Sequence, residues 1–129
     1  MTATMTIDVK ICGLSDEEAV TAAVEGGARM TGFVFFPPSP RHVTPERARE
    51  LTRTVPEVVI PVGLVVDADD DLLAAIADTA GIGMFQLHGN ETPERTAEIR
   101  EKFGLPVMKV LAVQEPGDVD AAKDYESVA

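Results

Sequence analysis

Short, nearly unbroken apolar runs alternate along this chain with longer stretches in which apolar residues recur at helical spacing. The runs Ile7 to Cys12, Met30 to Phe36, Val58 to Val66, Met84 to Leu87 and Val107 to Val113 predict five strands. Between them the punctuation predicts helices. Ser15 reads as an N-cap with Glu18 three residues on, a capping box that opens a helix running to Glu25 and stopped by Gly26-Gly27. Thr44 caps a second helix with Pro45 in its first position, and Pro56 closes it. A third spans about Asp69 to Ala80, with acids in its first turn and Gly81 after its end. A fourth repeats the cap-then-proline start at Thr92-Pro93 and ends near Gly104. A weaker fifth covers about Gly117 to Tyr125.

Strands alternating with helices at this spacing imply parallel βαβ units, and apolar residues at consecutive strand positions suit a parallel sheet covered on both faces. Residues 1–129 show no linker or low-complexity segment, so a single α/β domain is expected. Two architectures fit five such units. A flavodoxin-like doubly wound sheet can be complete at this length, whereas a (β/α)8 barrel typically takes about 250 residues. Length alone favours the doubly wound sheet. In either fold ligand chemistry belongs at the carboxyl ends of the strands.

Composition narrows the partners. No apolar run approaches the roughly 18 residues of a membrane span, and Met1 to Thr6 lack the basic start and apolar stretch of a signal peptide. A cytoplasmic protein with no membrane partner is expected. Twenty-two acidic against 11 basic residues give a net charge of −11, which repels nucleic acid. An anionic ligand would then need locally concentrated cations, which makes the basic residues near strand ends, Lys10, Arg41 and Lys109, informative. The single cysteine excludes an internal disulfide, and no paired-ligand metal spacing is present.

At the end of the first strand Lys10 and Cys12 are two apart and share a face, an arrangement that sets an ammonium near a thiol and favours a thiolate base. A lone cysteine closing a buried strand also fits a small core residue. After the second strand, Phe36-Pro37-Pro38-Ser39-Pro40-Arg41 is a stiff loop that holds Arg41 at the rim, where a guanidinium can clamp a carboxylate; a solvated loop arginine is the alternative. The fourth strand ends Gln86-Leu87-His88-Gly89, with Gln86 and His88 on one face, and His88 also fits a hydrogen-bonded structural role. Asp67 reads as a helix-entry residue. Lys109 points inward or outward according to register.

Taken together, Lys10-Ile11-Cys12-Gly13, Gly32-Phe33-Val34-Phe35 with Ser39-Pro40-Arg41, Val62-Gly63-Leu64-Val65-Val66, Gln86-Leu87-His88-Gly89 and Val107-Met108-Lys109-Val110-Leu111 resemble the phosphoribosylanthranilate isomerase family of tryptophan biosynthesis, in family order and near family spacing. The resemblance implies the TIM-barrel fold, here a partial (β/α)8 barrel of about five βα units. It implies a cofactor-free Amadori rearrangement of a sugar-phosphate substrate. Cys12 would be the general base and Arg41 the contact to the anthranilate carboxylate, with Lys10, Gln86 and His88 in binding or support. The family's general acid, an aspartate ending strand six, and its phosphate loops after strands seven and eight would lie beyond Ala129. The chain is therefore expected to be an amino-terminal part that does not turn over substrate alone, and its two open sheet edges invite self-association.

Three other readings stand beside it. A receiver-type flavodoxin-like module would cast Asp67 and Lys109 as its acid and lysine, although its metal site wants acids where Cys12 and Gly13 stand. A catalytically dead remnant would act only through its open edges. A different sugar-phosphate barrel enzyme is the nearest enzymatic alternative.

Overall fold

The computed structural model describes residues 7–129, so the leader reading of Met1 to Thr6 falls outside the described residues. Five parallel strands alternate with helices: β1 (Lys10–Ile11), α1 (Glu17–Glu25), β2 (Met30–Val34), α2 (Pro45–Thr52), β3 (Ile60–Val65), α3 (Asp70–Thr79), β4 (Met84–Leu87), α4 (Pro93–Phe103) and β5 (Val107–Lys109). A run of 3-10 turns, Pro116–Tyr125, follows where a fifth α-helix was expected.

The sheet order is β1-β2-β3-β4-β5, each strand hydrogen-bonded to the next in sequence. A doubly wound sheet reverses direction at a switch point and carries helices on both faces; here there is no reversal. Phe33, Phe35, Val65, Phe85 and Leu87 all project to one side, where they pack with Val20 and Ala23 of α1, Ala48 and Leu51 of α2, Leu73 and Ile76 of α3, and Ile99 of α4. All four helices therefore cover one face. The flavodoxin-like alternative is corrected to an arc of a (β/α) barrel, and length misled because it bears on the number of units and not on their order.

The opposite, concave face is covered by the strands' own alternate side chains. Val34, Val62, Leu64 and Gln86 are buried there. This second apolar layer explains why the strands read as continuous hydrophobic runs although helices lie on one side alone. The strands are shorter than those runs because the apolar residues extend past those that form the ladder. Val9, for example, precedes β1 yet its carbonyl accepts from the Arg29 and Met30 N–H groups at 2.9 and 3.3 Å.

Helix starts follow their caps. Thr44 Oγ1 accepts from Arg47 N and Thr92 Oγ1 from Arg95 N, both at 3.1 Å, with Pro45 and Pro93 opening the helices as expected. Asp69 caps α3, and Gly104 ends α4 in the left-handed region at φ 65°. The first helix departs from its reading. Its N-cap is Asp16, whose carboxylate accepts from Ala19 N at 2.7 Å, so the Ser15–Glu18 capping box gives way to a start one residue later. Pro56 does not close α2 directly; that helix ends at Thr52 and Pro56 accepts a turn bond from Val59 N. Among the described residues no helix is long and apolar enough to cross a membrane.

Candidate active site

The carboxyl ends of β1 to β4 enclose a cavity of about 320 Å³ lined by Cys12, Gly13, Val34, Phe36, Ser39, Arg41, Leu64, Val66 and His88. Cys12 enters it directly after β1 as a free, exposed thiol. Space for its sulfur comes from β2, where a Cβ on Gly32 would lie 3.0 Å from Cys12 Sγ. The glycine that opens the second-strand motif thus accommodates the thiol.

Arg41 is delivered by a loop folded back on β2. Ser39 N donates to Phe36 O at 2.9 Å, Arg41 N to Ser39 Oγ at 3.1 Å, His42 N to Ser39 O at 3.1 Å and Val43 N to Val34 O at 2.9 Å. Prolines 37, 38 and 40 remove competing conformations. The Arg41 side chain then crosses over Gly13, where a Cβ would overlap Arg41 Cδ. Among the described residues no carboxylate lies within ion-pair distance of its guanidinium. In a chain of net charge −11 this leaves an unpaired cation facing a cavity with no acidic lining.

His88 follows β4 with its N–H donated to Val65 O at 2.9 Å and its ring exposed at the cavity wall. Gln86 lies one layer deeper, in register with Leu64 and Met108, and does not line the cavity. Its amide is buried, and among the described residues Oε1 has no hydrogen-bond partner. Lys10 is also below the cavity. Val9 and Ile11 line a separate hollow against α1, so alternation turns Lys10 and Cys12 to the concave side, with Lys10 half-buried beneath the thiol. Of the five residues singled out from sequence, the cavity brings Cys12, Arg41 and His88 together, with Gln86 and Lys10 in the layer under them.

Lys109 points away from the cavity. Its Nζ donates to Gly89 O at 2.7 Å and to Glu91 Oε1 at 3.0 Å, and it sits 5.8 Å from the centre of the Tyr125 ring. Asp67, in the left-handed region at φ 49°, accepts from Asn90 N at 2.8 Å through Oδ1. The acid and lysine required by a receiver-type module are thus committed to separate internal contacts, and with the sheet order this overturns that reading.

Lys109 Nζ and the Asp67 backbone N–H, though not the Asp67 carboxylate, both meet Glu91, a residue that sequence reasoning missed. Its buried carboxylate accepts from Asp67 N through Oε2 and from Gly89 N through Oε1, each at 2.9 Å, besides pairing with Lys109. Its carbonyl accepts from Tyr125 Oη at 2.7 Å. Burial pushes the Glu91 carboxyl up, but the Asp67 N–H and the Lys109 ammonium outweigh it and hold the group below its ordinary value. The only sequence signal was an acid immediately before the Thr92-Pro93 cap, a position that solvated acids also occupy.

Comparison with known proteins agrees with this geometry. The model of the family described as N-(5'-phosphoribosyl)anthranilate (PRA) isomerase matches residues 9–129. The N-(5'-phosphoribosyl)anthranilate isomerase of Paramagnetospirillum magneticum is 53% identical over 125 residues, covering 97% of this chain and 58% of that protein. Its counterpart in Brucella canis is 47% identical, covering 97% and 56%. The chain therefore spans somewhat over half the length of these relatives. Among solved structures, phosphoribosyl anthranilate isomerase from Thermotoga maritima superposes with a TM-score of 0.89 at 34% identity, covering 95% of this chain and 58% of that one. A structure of such an isomerase in complex with reduced 1-(o-carboxyphenylamino)-1-deoxyribulose 5-phosphate gives the same TM-score and identity, covering 95% and 62%. A (β/α) arc with a thiol, a guanidinium and an imidazole at its carboxyl rim, matched along nearly its whole length, belongs to the N-(5'-phosphoribosyl)anthranilate isomerase family.

Proposed function

We propose that the cavity is the anthranilate end of an isomerase site that rearranges N-(5-phosphoribosyl)anthranilate to 1-(2-carboxyphenylamino)-1-deoxyribulose 5-phosphate. The observation that carries this is the convergence of Cys12 and the unpaired Arg41 on one apolar-walled cavity. Val34, Phe36, Leu64 and Val66 supply the wall for an aromatic ring, and the Arg41 fork matches its carboxylate. Once the furanose ring is open the substrate is a Schiff base. With the Schiff-base nitrogen protonated, the Cys12 thiolate takes the C2 proton and the C2–H electron pair moves through C1 to that nitrogen, giving the enolamine. Loss of the C2 hydroxyl proton with protonation at C1 then yields the ketone. His88 orients the substrate from the wall, while Gln86 and Lys10 support it from below. No cofactor enters this sequence of steps.

The family resemblance implies that the general acid and the phosphate loops belong to units six to eight of the barrel, after the five that residues 1–129 contain. Residues 1–129 are read as a single domain, a partial barrel of five βα units, binding anthranilate without turning over the substrate. As a step of tryptophan biosynthesis the activity belongs in the cytoplasm, and we place the chain there. Self-association through the edges at β1 and β5 is part of the same reading, with Val9 and Ile11 exposed beside the first.

The test uses the single cysteine. Anthranilate should bind the chain and slow alkylation of Cys12 by iodoacetamide, followed by mass. Arg41→Met should weaken binding about ten- to a hundredfold, the loss of roughly 1.5–3 kcal/mol of charge-assisted hydrogen bonding. Unchanged affinity in Arg41→Met, or no protection of Cys12 at saturation, would overturn the assignment.

A further inference from the structure

Glu91 grips two peptide groups, and both belong to the cavity. The Asp67 N–H lies in the peptide plane of Val66 and the Gly89 N–H in that of His88; Val66 and His88 are neighbouring wall residues. A carboxylate holding both N–H groups fixes the backbone torsion that aims each wall residue. The grip is reinforced on every side. His88 N is tied to Val65 O, Gly89 O to Lys109 Nζ and Glu91 O to Tyr125 Oη. The two loops also touch, since a Cβ on Gly89 would lie 2.6 Å from the Asp67 carboxyl carbon.

A buried ion pair is a poor way to gain stability alone, because desolvating both ions offsets most of their attraction. What an apolar pair of the same volume could not do is accept two backbone N–H groups from different loops at once. We propose that Glu91, paired with Lys109, is a positioning residue that sets His88 and Val66 against the bound anthranilate. This rests on the cavity being the anthranilate site, although the clamp itself can be judged without it.

Glu91→Gln removes the charge while nearly conserving shape. Two readouts separate positioning from stability: the ¹H–¹³C resonances of the His88 ring, with His42, the one other histidine, as internal control, and anthranilate affinity in a variant shown to be folded. The expected result is a shifted or broadened His88 signal, an unmoved His42 signal and about tenfold weaker binding. An unmoved His88 signal with unchanged affinity overturns the clamp and leaves the site assignment standing. If the unsubstituted chain binds no anthranilate, the site assignment fails and the His88 signal alone decides the clamp. Should Glu91→Gln not fold, amide exchange in the unsubstituted chain decides. Protection of the Asp67 and Gly89 N–H groups to the level of β4 supports the clamp, and exchange at solvent-exposed rates overturns it.

Discussion

Gly13 joins backbone conformation to ligand recognition. It sits at φ 81°, a region that side chains rarely adopt, and it underlies the Arg41 stem. Gly13→Ala should therefore act twice, straining the turn by about 1 kcal/mol or more and displacing the guanidinium. We expect anthranilate affinity to fall about as far as in Arg41→Met, while circular dichroism stays close to that of the parent. Affinity equal to the parent would mean that Arg41 reaches its ligand by another path. Cys12, Arg41 and His88 were legible in the sequence because strand alternation and a proline-stiffened loop fix where side chains emerge. Glu91 was not, because its role depends on two groups distant in sequence, Asp67 N and Lys109 Nζ, besides the nearby Gly89 N. Lys109 itself stayed ambiguous for want of a register, and β5 pairs with β4 so that Leu87 meets Lys109 on the helix side.

Caps decide where the helices begin, and the first helix offers a direct comparison. Ser15-Asp16-Glu17-Glu18 contains two adjacent residues able to cap, and the structure uses the second. Asp16→Ala should cost about 1 kcal/mol in urea unfolding, whereas Ser15→Ala should leave the midpoint unchanged; the reverse ranking would restore the earlier start. Thr44 and Thr92 carried no such ambiguity, because the proline after each admits one first helical position. Strand ends were less legible than helix starts. A hydrophobic run does not mark where pairing ends: Val9 before β1 and Val113 after β5 are exposed, and Val110 and Leu111 are only half-buried. The last segment was legible as helical but not as 3-10, a difference of one hydrogen-bond step that composition hardly registers.

Across the molecule, several carboxylates are held below their ordinary values. Hydrogen bonding to Arg47 holds Glu17 down to about 2. Contacts with Lys102 and Arg95 lower Asp70, the Gln114 and Glu115 N–H groups lower Asp118, and Glu91 is lowered against its own burial. A carboxylate depressed by folding stabilises the protein above its unfolded value, ordinarily 3.8 for Asp and 4.5 for Glu, and loses that contribution as pH falls through its folded value. Urea midpoints should therefore be insensitive to these groups from pH 7 to about 5 and fall steadily below that. Glu91→Gln, if folded, should show a shallower decline; an identical acid slope would mean that folding leaves the Glu91 carboxyl at its ordinary value, and a steeper one that folding raises it. The topology was the part of the fold least open to sequence. Alternating strands and helices suit a barrel and a doubly wound sheet equally, and no single residue states on which edge a crossover will dock.

The resulting strand order carries a consequence for biosynthesis. Because each strand pairs with its immediate predecessor, every unit finds its docking edge already synthesised when it leaves the ribosome. The arc can be laid down from its amino-terminal side at the pace of translation, with no pairing held back for a distant part of the chain.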